Sequence, residues 1–362
     1  MTKKPYPLEF KPDLDEAARR WDAYWVGDII DRPVVHVSAH WPDRKGRVGS
    51  NYYDCVYGDM DRVIETALLN AWATYHAGEA IPGTNFSFGP DEVAVFCGAE
   101  LEFAEGSPTT NWSRPFVDDW NAVLPLRLNE NHPLWQRMLE FNRRASGKMA
   151  GKMLIAQIDL HTNMDILAPI RNPERLCMDL LDMPEIIDRA MAGARAIFPT
   201  IWNSIAQAAQ MDRFGYTGGG YSMEGAATLQ CDFSCMMSPD MFRRWVMPAL
   251  EEEATYARHV FYHWDGPGAL KHIDAICESK GLHTLGYVPT CGPDTEDRIM
   301  HIRQLDLLRE CQRRGKAVQF CGTPDECKAA HKVLDPRKVA YFTSTDTPQA
   351  ADDLLKWFVK NT

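Results

Sequence analysis

The segment "HVFYHWDGPGALKHIDAI", residues 259–276, places His263 and Asp265 two positions apart at the end of an apolar run. The Gly-Pro-Gly break and the helical pattern after it predict a junction between a strand and a helix. Side chains two residues apart on a strand point to the same face, so both groups can serve one pocket. Such a pair could transfer protons or hold a metal ion.

A thiol from another strand would complete a metal site with this pair. Cys321 closes the apolar run in "KAVQFCG", residues 316–322. Neutral imidazole, carboxylate and thiolate are all zinc ligands, and catalytic zinc uses three protein ligands with one open position. The predicted metal ligands are therefore His263, Cys321 and Asp265. The alternative for Cys321 is a small buried hydrophobic side chain.

Polar side chains recur where the predicted strands end. They are His36, Ser38, His40, Asn85, Ser87, Gln157, Asp159, His161, Asp232, Ser234, His263, Asp265, Tyr287, Gln319, Cys321, Thr343, Ser344 and Asp346. One such residue could simply close a loop by hydrogen bonding, but several histidines and carboxylates in one ring favour an enzyme. The predicted catalytic residues are Asp232, Asp159, His161 and Asp265.

Aromatic side chains also lie in loops or at strand ends. Their rings can cage a quaternary ammonium group or stack on a planar ring, although ordinary loop packing is the alternative for each. The predicted substrate-binding residues are Trp264, Tyr287, Trp41, Tyr221 and Gln319.

The elements that must position these residues alternate between strands and helices. Strands are predicted at 32–40, 152–161, 228–234, 259–264, 283–289, 316–322 and 339–345, with a short strand near 84. Helices are predicted at 13–25, 61–78, 133–147, 173–181, 184–210, 238–258, 267–279, 297–314, 323–333 and 348–360. This alternation implies parallel βαβ units. About eight strands without a nucleotide-binding glycine fingerprint predict a single α/β domain, a (β/α)₈ TIM barrel over residues 31–362, after an N-terminal helical extension at 1–30. In such a barrel the C-terminal strand ends face the catalytic mouth.

The composition narrows the class of partner. The chain has 362 residues, a net charge of −11, 45% hydrophobic and 25% charged residues. The net negative charge argues against nucleic acid as a binding partner and gives no reason to expect binding to an anionic membrane surface. No signal peptide or transmembrane run is visible, and the ten scattered cysteines are typical of reduced thiols, so we expect a cytoplasmic protein.

Four segments resemble the uroporphyrinogen decarboxylase-like superfamily, within it the bacterial branch related to cobalamin (corrinoid)-dependent methyltransferases. They are "GPDEVAVFCGAELEF", "DLHTNMDILAPIRNPERLCMDLLDMPE", "LQCDFSCMMSPDMFRRWVMPALEE" and "YHWDGPGALKHIDAI". The resemblance covers about residues 30–355 and implies a (β/α)₈ barrel with a pocket at its C-terminal face.

The superfamily contains two chemistries, and the sequence departs from both patterns. Its decarboxylases carry Arg-Gln-Ala-Gly-Arg after the first strand, where this chain reads "VSAHWPDRKGR". Its methyltransferases bind zinc through a His-x-Cys pair and a later Cys. Here the pair reads His263-Trp264-Asp265, with an aspartate in place of the first thiolate, while Cys321 matches the later ligand.

The resemblance therefore implies methyl transfer between a small methylated substrate and a separate corrinoid protein. Zinc at His263 and Cys321 would act as a Lewis acid, and Asp232, Asp159 or His161 would supply an acid or base. No Asp-x-His-x-x-Gly cobamide signature occurs, so the cobamide would lie on a partner. The alternatives are a metal-independent decarboxylase and a non-catalytic binding barrel. The aromatic-rich segment 101–120 could serve as a homodimer contact.

Overall fold

The computed structural model describes residues 3–104, 106–289 and 297–362, with side-chain detail after the second gap from residue 304. The strands are β1 Val34–His40, β2 Thr74–Gly78, β3 Gly83–Thr84, β4 Glu100–Phe103, β5 Asn111–Arg114, β6 Leu154–Ile155, β7 Tyr216–Thr217, β8 Tyr221–Ser222, β9 Ala226–Gln230, β10 His259–Asp265, β11 Thr284–Val288, β12 Ala317–Cys321 and β13 Val339–Thr345. The predicted mixed α/β class is confirmed.

Helices separate most of these strands. They are α1 Leu14–Trp25, α2 Tyr52–Tyr57, α3 Met60–Ala73, α4 Glu92–Phe96, α5 Trp120–Val123, α6 Pro133–Met149, α7 Met164–Arg171, α8 Pro173–Asp182, α9 Pro184–Ala208, α10 Met211–Phe214, α11 Pro239–Met241, α12 Met247–Glu253, α13 Ile273–Glu278, α14 Asp297–Arg313, α15 Pro324–His331 and α16 Pro348–Asn361. Short 3₁₀ helices cover Asp232–Met236, Ala254–Tyr256, Pro267–His272 and Pro336–Lys338, and a π-helical turn covers Phe242–Val246. No helix in the described ranges combines the length and the apolar character needed to cross a membrane.

Seven strands form the main sheet in the order β2-β1-β13-β12-β11-β10-β9. Six of them run parallel, and β2 pairs antiparallel with β1. β3 and β6 form a separate parallel pair. A closed barrel is therefore not confirmed, because in the described part of the chain β2 and β9 are the edges of the hydrogen-bonded sheet.

The two faces of the main sheet carry different side chains. Val260, Tyr262 and Trp264 of β10 are buried in the core, whereas the alternate residues His263 and Asp265 are only partly buried. β12 shows the same alternation, with Gln319 and Cys321 on the less buried face. We call this second face, defined by His36, His263, Asp265, Gln319 and Cys321, the polar face.

The N-terminal helix α1 packs against the residues at which the parallel strands begin. Its buried side chains share one apolar cluster with Val34 and Ala340, which lie at the start of β1 and β13. The Tyr24 hydroxyl lies 3.0 Å from Oγ1 of Thr284, the first residue of β11. The N-terminal ends of these strands are thus covered by α1, and the polar residues at the opposite ends are the ones that a ligand can approach.

A buried ion pair lies beside this helix. Glu79 is fully buried, and its carboxylate accepts hydrogen bonds from both terminal nitrogens of Arg32, the second of them at 3.0 Å. It also accepts the backbone N–H of Val35 at 2.9 Å. Trp21 of α1 donates its indole N–H to the Glu79 carbonyl at 3.1 Å. Glu79 therefore joins α1, the start of β1 and the end of β2.

Two predicted elements differ from the structure. The helix expected at 61–78 ends at Ala73, because Thr74–Gly78 instead pairs with the edge of β1. The strand expected at 152–161 contains only Leu154–Ile155. Its remaining residues form a loop that carries several of the predicted catalytic side chains.

Candidate active site

Three chain segments bring a histidine and three carboxylates together. Asp159 and His161 lie in the loop after β6, Asp165 lies in the first turn of α7, and Asp232 follows β9. Nε2 of His161 lies 3.2 Å from Oδ2 of Asp159. Its Nδ1 lies 3.7 Å from Oδ2 of Asp165 and 3.9 Å from Oδ2 of Asp232. We call these four residues the carboxylate–histidine cluster.

Local backbone structure fixes the cluster. Asn163 has the unusual dihedral angles φ 52° and ψ −125°, and its side chain accepts the N–H of Met164 at 2.7 Å. Its amide donates to the carbonyl of Gln230 at 3.0 Å, which ties the loop to the end of β9. Asp165 accepts the backbone N–H groups of Asp232 and Phe233 at 2.8 and 2.9 Å, so it caps the 3₁₀ helix that begins there. Strained conformations of this kind persist where the surrounding contacts over-determine them, and they are common at functional sites.

The histidine of the cluster is an imidazolium. Burial alone would lower the pKa of His161, but the hydrogen bond with Asp159 and the charges of Asp165, Asp159 and Asp232 raise it to about 10. Burial likewise opposes ionisation of Asp159, but the hydrogen bond and charge of His161, together with a hydrogen bond from Gln230, bring its pKa below the ordinary value. The pair is therefore ionised at neutral pH.

Asp232 differs from Asp159 in its protonation. Burial, and then the negative charge of Asp165, raise the pKa of Asp232 to about 7, despite the opposing charge of His161. Its Oδ1 is buried and accepts no hydrogen bond from the described residues. Asp232 can thus hold or release a proton near neutral pH, which is the property of an effective general acid or base.

The polar face of the sheet contributes a second group. His263 lies opposite Gln230 on β9 and Gly286 on β11, and Gln230 donates to Asp159. Burial lowers the pKa of His263, and the charges of Asp265 and Asp159 only partly offset this effect. A Cβ placed on Gly286 would lie 2.9 Å from Oε1 of Gln319, so Gln319 covers the glycine.

The predicted metal ligands are not arranged as a three-ligand site. Cys321 is exposed at the end of β12, and β11 separates β12 from β10, so the backbones that carry Cys321 and His263 are about 10 Å apart. Across the described ranges, no group of three His, Cys, Asp or Glu side chains is arranged to hold a metal ion. The described part of the chain thus shows no zinc site at His263, Cys321 and Asp265, and no step derived below passes through a metal.

The predicted aromatic residues lie in several places. Trp264 is fully buried on the face opposite His263, donates its indole N–H to the Ala269 carbonyl, and contacts Tyr287 edge-on at 5.7 Å. Trp41 packs edge-on against Tyr75 after β1. Tyr221 is buried in the apolar cluster with α1, near the covered strand ends. The structure does not bring Trp264 or Tyr221 to the carboxylate–histidine cluster.

Three polar residues in or near the cluster were not predicted from the sequence to belong to the site. Asp165 holds the 3₁₀ helix, Gln230 contacts Asp159, and Glu92 is fully buried. Burial raises the pKa of Glu92 to about 8, although the N–H of Phe88 donates to it at 2.7 Å. The signal for Asp165 was a carboxylate in the first turn of the helix after Asn163, within the segment "DLHTNMDILAPIR". No comparable pattern marks Gln230 or Glu92.

Replacing Gly286 with alanine should destabilise the fold by about 1–3 kcal/mol, because an added methyl group has to displace close neighbours. The new Cβ would lie 2.1 Å from Cζ of Phe261 as well as against Gln319. The urea midpoint of unfolding measures the effect. Gly147→Ala is the control, because its Cβ would meet nothing within 4 Å and alanine favours a helix. A Gly286→Ala protein as stable as the parent would contradict this packing.

A cavity of about 450 Å³ opens beside the cluster. Its lining includes His161, Asp165 and Asp232, together with Asp91 and Trp112 from outside the cluster. The described residues that line it include no Arg or Lys. A ligand in this cavity would therefore meet carboxyl groups, the imidazolium of His161 and an indole.

Comparisons with known proteins agree with the fold. No protein-family model and no curated protein sequence matches the chain. Among solved structures, the chain is similar to a methyltransferase from Methanosarcina mazei, with a TM-score of 0.60 and 12% sequence identity. The match covers 95% of this chain and 98% of the other. At this identity the likeness shows the fold alone, and the superfamily indicated by the sequence stays a prediction.

Proposed function

We propose that the protein is a methyltransferase that moves a methyl group between a small methylated substrate and a corrinoid carried by a separate protein. The observation that carries the proposal is Asp232 at the cavity, with a pKa raised to about 7 and a buried Oδ1 that lacks a partner among the described residues. The likeness to a methyltransferase structure over nearly the whole chain supports the proposal at the level of the fold.

The proposal includes a (β/α)₈ barrel. Six parallel strands of the main sheet and the two parallel strands β3 and β6 make eight. In chain order they are β1, β3, β6 and β9 to β13. Because β2 occupies the other edge of β1, the cylinder would close with β3 beyond β2 and with β6 before β9. The carboxylate–histidine cluster would then lie at the C-terminal mouth, where such barrels perform catalysis.

Methyl transfer breaks the bond between the methyl carbon and a heteroatom, and the electron pair stays on the heteroatom. The partner's corrinoid would supply the nucleophile. The residues of this chain would hold the donor in line and neutralise the charge that develops on the leaving atom. Asp232 would donate its proton to that atom. The imidazolium of His161, 3.9 Å from Asp232, would then stabilise the carboxylate that remains.

The corrinoid on the partner protein has to reach the methyl group of the bound donor. The side chains of Asp159 and Asp232 are 39% and 38% exposed, so the cluster can be approached from solvent. The decarboxylase alternative is less well supported. Among the described lining residues a carboxylated substrate would meet one cation, His161, whose charge Asp159 and Asp165 already offset, and no Arg or Lys. Zinc at His263, Cys321 and Asp265 stays a hypothesis on which none of these steps depends.

For an uncharged methyl donor, kcat/KM should fall as the pH rises through about 7, because Asp232 then loses the proton that it donates. His161 should stay protonated up to about pH 10 and should add no change between these values. The measurement is the initial rate of methylation of a reduced corrinoid, followed by visible absorbance from pH 5.5 to 9 with methyl ethers as donors. The same profile in Asp232→Asn should be flat.

Two outcomes would contradict the proposal. One is the absence of methyl transfer from methyl ethers, methylated amines and quaternary methylammonium compounds alike. The other is a pH profile of the Asp232→Asn protein that keeps the parent's fall near pH 7. Release of carbon dioxide from a carboxylated substrate, without methyl transfer, would favour the decarboxylase.

A further inference from the structure

The cavity beside the cluster has an excess of negative groups. Asp91, Asp165 and Asp232 line the cavity, and the positively charged imidazolium of His161 lies in the same lining. The positive charge of His161 is already met by Asp159 at 3.2 Å and Asp165 at 3.7 Å. The lining residues in the described ranges provide no other cation, so the carboxyl group of Asp91 is left to face a positively charged ligand.

Trp112 supplies a cation-binding surface in the same cavity. It lies on β5 in a hairpin with β4, and its side chain is 47% exposed. Trp41 and Trp72 both pack against the guanidinium of Arg44, at 4.8 and 4.9 Å from the ring centres. Trp112 has no such cation among the described residues. The indole is the strongest of the side-chain π systems for binding a cation.

The carboxylates have room for an additional charged group. Asp91 accepts the backbone N–H of Ser113 at 2.6 Å, which holds it beside the β4–β5 hairpin. Oδ1 of Asp232 is buried and has no hydrogen-bond partner in the described part of the chain. This oxygen is closed off from the cavity, so a ligand would meet the remaining part of the Asp232 side chain, which is 38% exposed.

From this arrangement we infer that the cavity binds a quaternary methylammonium group, with Trp112 against its methyl groups and Asp91 beside its charge. The inference rests on the proposed function, for which it names the substrate class. Transfer would break one C–N bond, with the electron pair remaining on nitrogen and the methyl group passing to the acceptor. The step balances when the neutral tertiary amine leaves with that pair. In a separate step the amine would take the proton of Asp232, which prevents it from recapturing the methyl group.

The test is binding, measured without any corrinoid. Isothermal titration of the full chain with choline and with 3,3-dimethylbutan-1-ol compares a cation with its uncharged carbon isostere. Choline should bind at least tenfold more tightly. Trp112→Leu should weaken choline binding by about 5- to 30-fold, the loss expected for one cation–π contact of about 1–2 kcal/mol. Asp91→Asn, which keeps the acceptor for Ser113, should weaken it as well.

Trp72→Leu is the matched control, because Trp72 is a partly exposed tryptophan outside the cavity, and it should leave choline binding unchanged. Equal affinity for choline and the alcohol would overturn the inference, as would a Trp112→Leu protein that binds choline like the parent. If methyl ethers donate to a corrinoid while choline does not bind, the inference fails and the proposed function stands. If choline binds in the predicted way but no donor methylates a corrinoid, the binding site stands and the proposed function fails.

Discussion

Asp232→Asn should lower kcat for methyl transfer by about 10²- to 10⁴-fold, the range supplied by a positioned general acid. Asparagine keeps the size of the side chain but cannot donate the carboxylic proton. The backbone N–H of Asp232, which bonds Asp165 at 2.8 Å, is unaffected by the change, so the 3₁₀ helix should form normally. Single-turnover rates with a saturating methyl ether would measure the loss at the chemical step.

Two comparisons separate this effect from a general disturbance. Asp274→Asn changes an exposed aspartate that pairs with Arg314 on the surface and should keep the parent rate. KM for the donor should change far less than kcat in Asp232→Asn, because the missing proton acts on the leaving atom. A loss confined to KM would mean that Asp232 only helps to bind the substrate.

Glu79→Ala should destabilise the protein by about 3–5 kcal/mol, because it leaves the buried guanidinium of Arg32 without its counter-charge. It also removes the acceptor for the N–H of Val35. Urea unfolding followed by tryptophan fluorescence gives the midpoint. Glu79→Gln keeps the shape and one acceptor, so it should lie between the parent and Glu79→Ala.

The control for this prediction is an ion pair of similar length on the surface. Glu278 lies 2.7 Å from Arg243, and both side chains are largely exposed. Glu278→Ala should have the same urea midpoint of unfolding as the parent, because exposed ion pairs contribute little to stability. If Glu79→Ala also has the urea midpoint of the parent, the buried ion pair does not contribute to stability.

The sequence predicts the architecture because the spacing of apolar residues indicates which segments form helices and which form strands. β10 is expected at 259–264 and found at His259–Asp265. Asp159 and His161 are expected at the end of one strand and Asp232 at the end of another, and the structure brings them within one cluster. Parallel strands place their C-terminal ends on one side, so strand order alone can predict that such residues meet.

Details that depend on tertiary contacts are beyond this kind of prediction. Thr74–Gly78 continues a helical pattern in sequence, but the free edge of β1 pairs with it as a strand. Tyr221 is predicted at the site and is instead buried against α1, because its short strand β8 turns toward the covered strand ends. Asp165 accepts a hydrogen bond from the backbone N–H of Asp232, 67 residues away. The spacing of the residues around Asp165 does not predict that contact.

The pairing of β1 with β13 has a consequence for biosynthesis. Val34 lies opposite Ala340, so β1 leaves the ribosome long before the strand with which it pairs. At about 5–20 residues per second, that delay is roughly 15–60 s. During this interval one edge of β1 is unprotected and open to adventitious strand pairing, so we expect the nascent chain to bind chaperones until β13 has been synthesised.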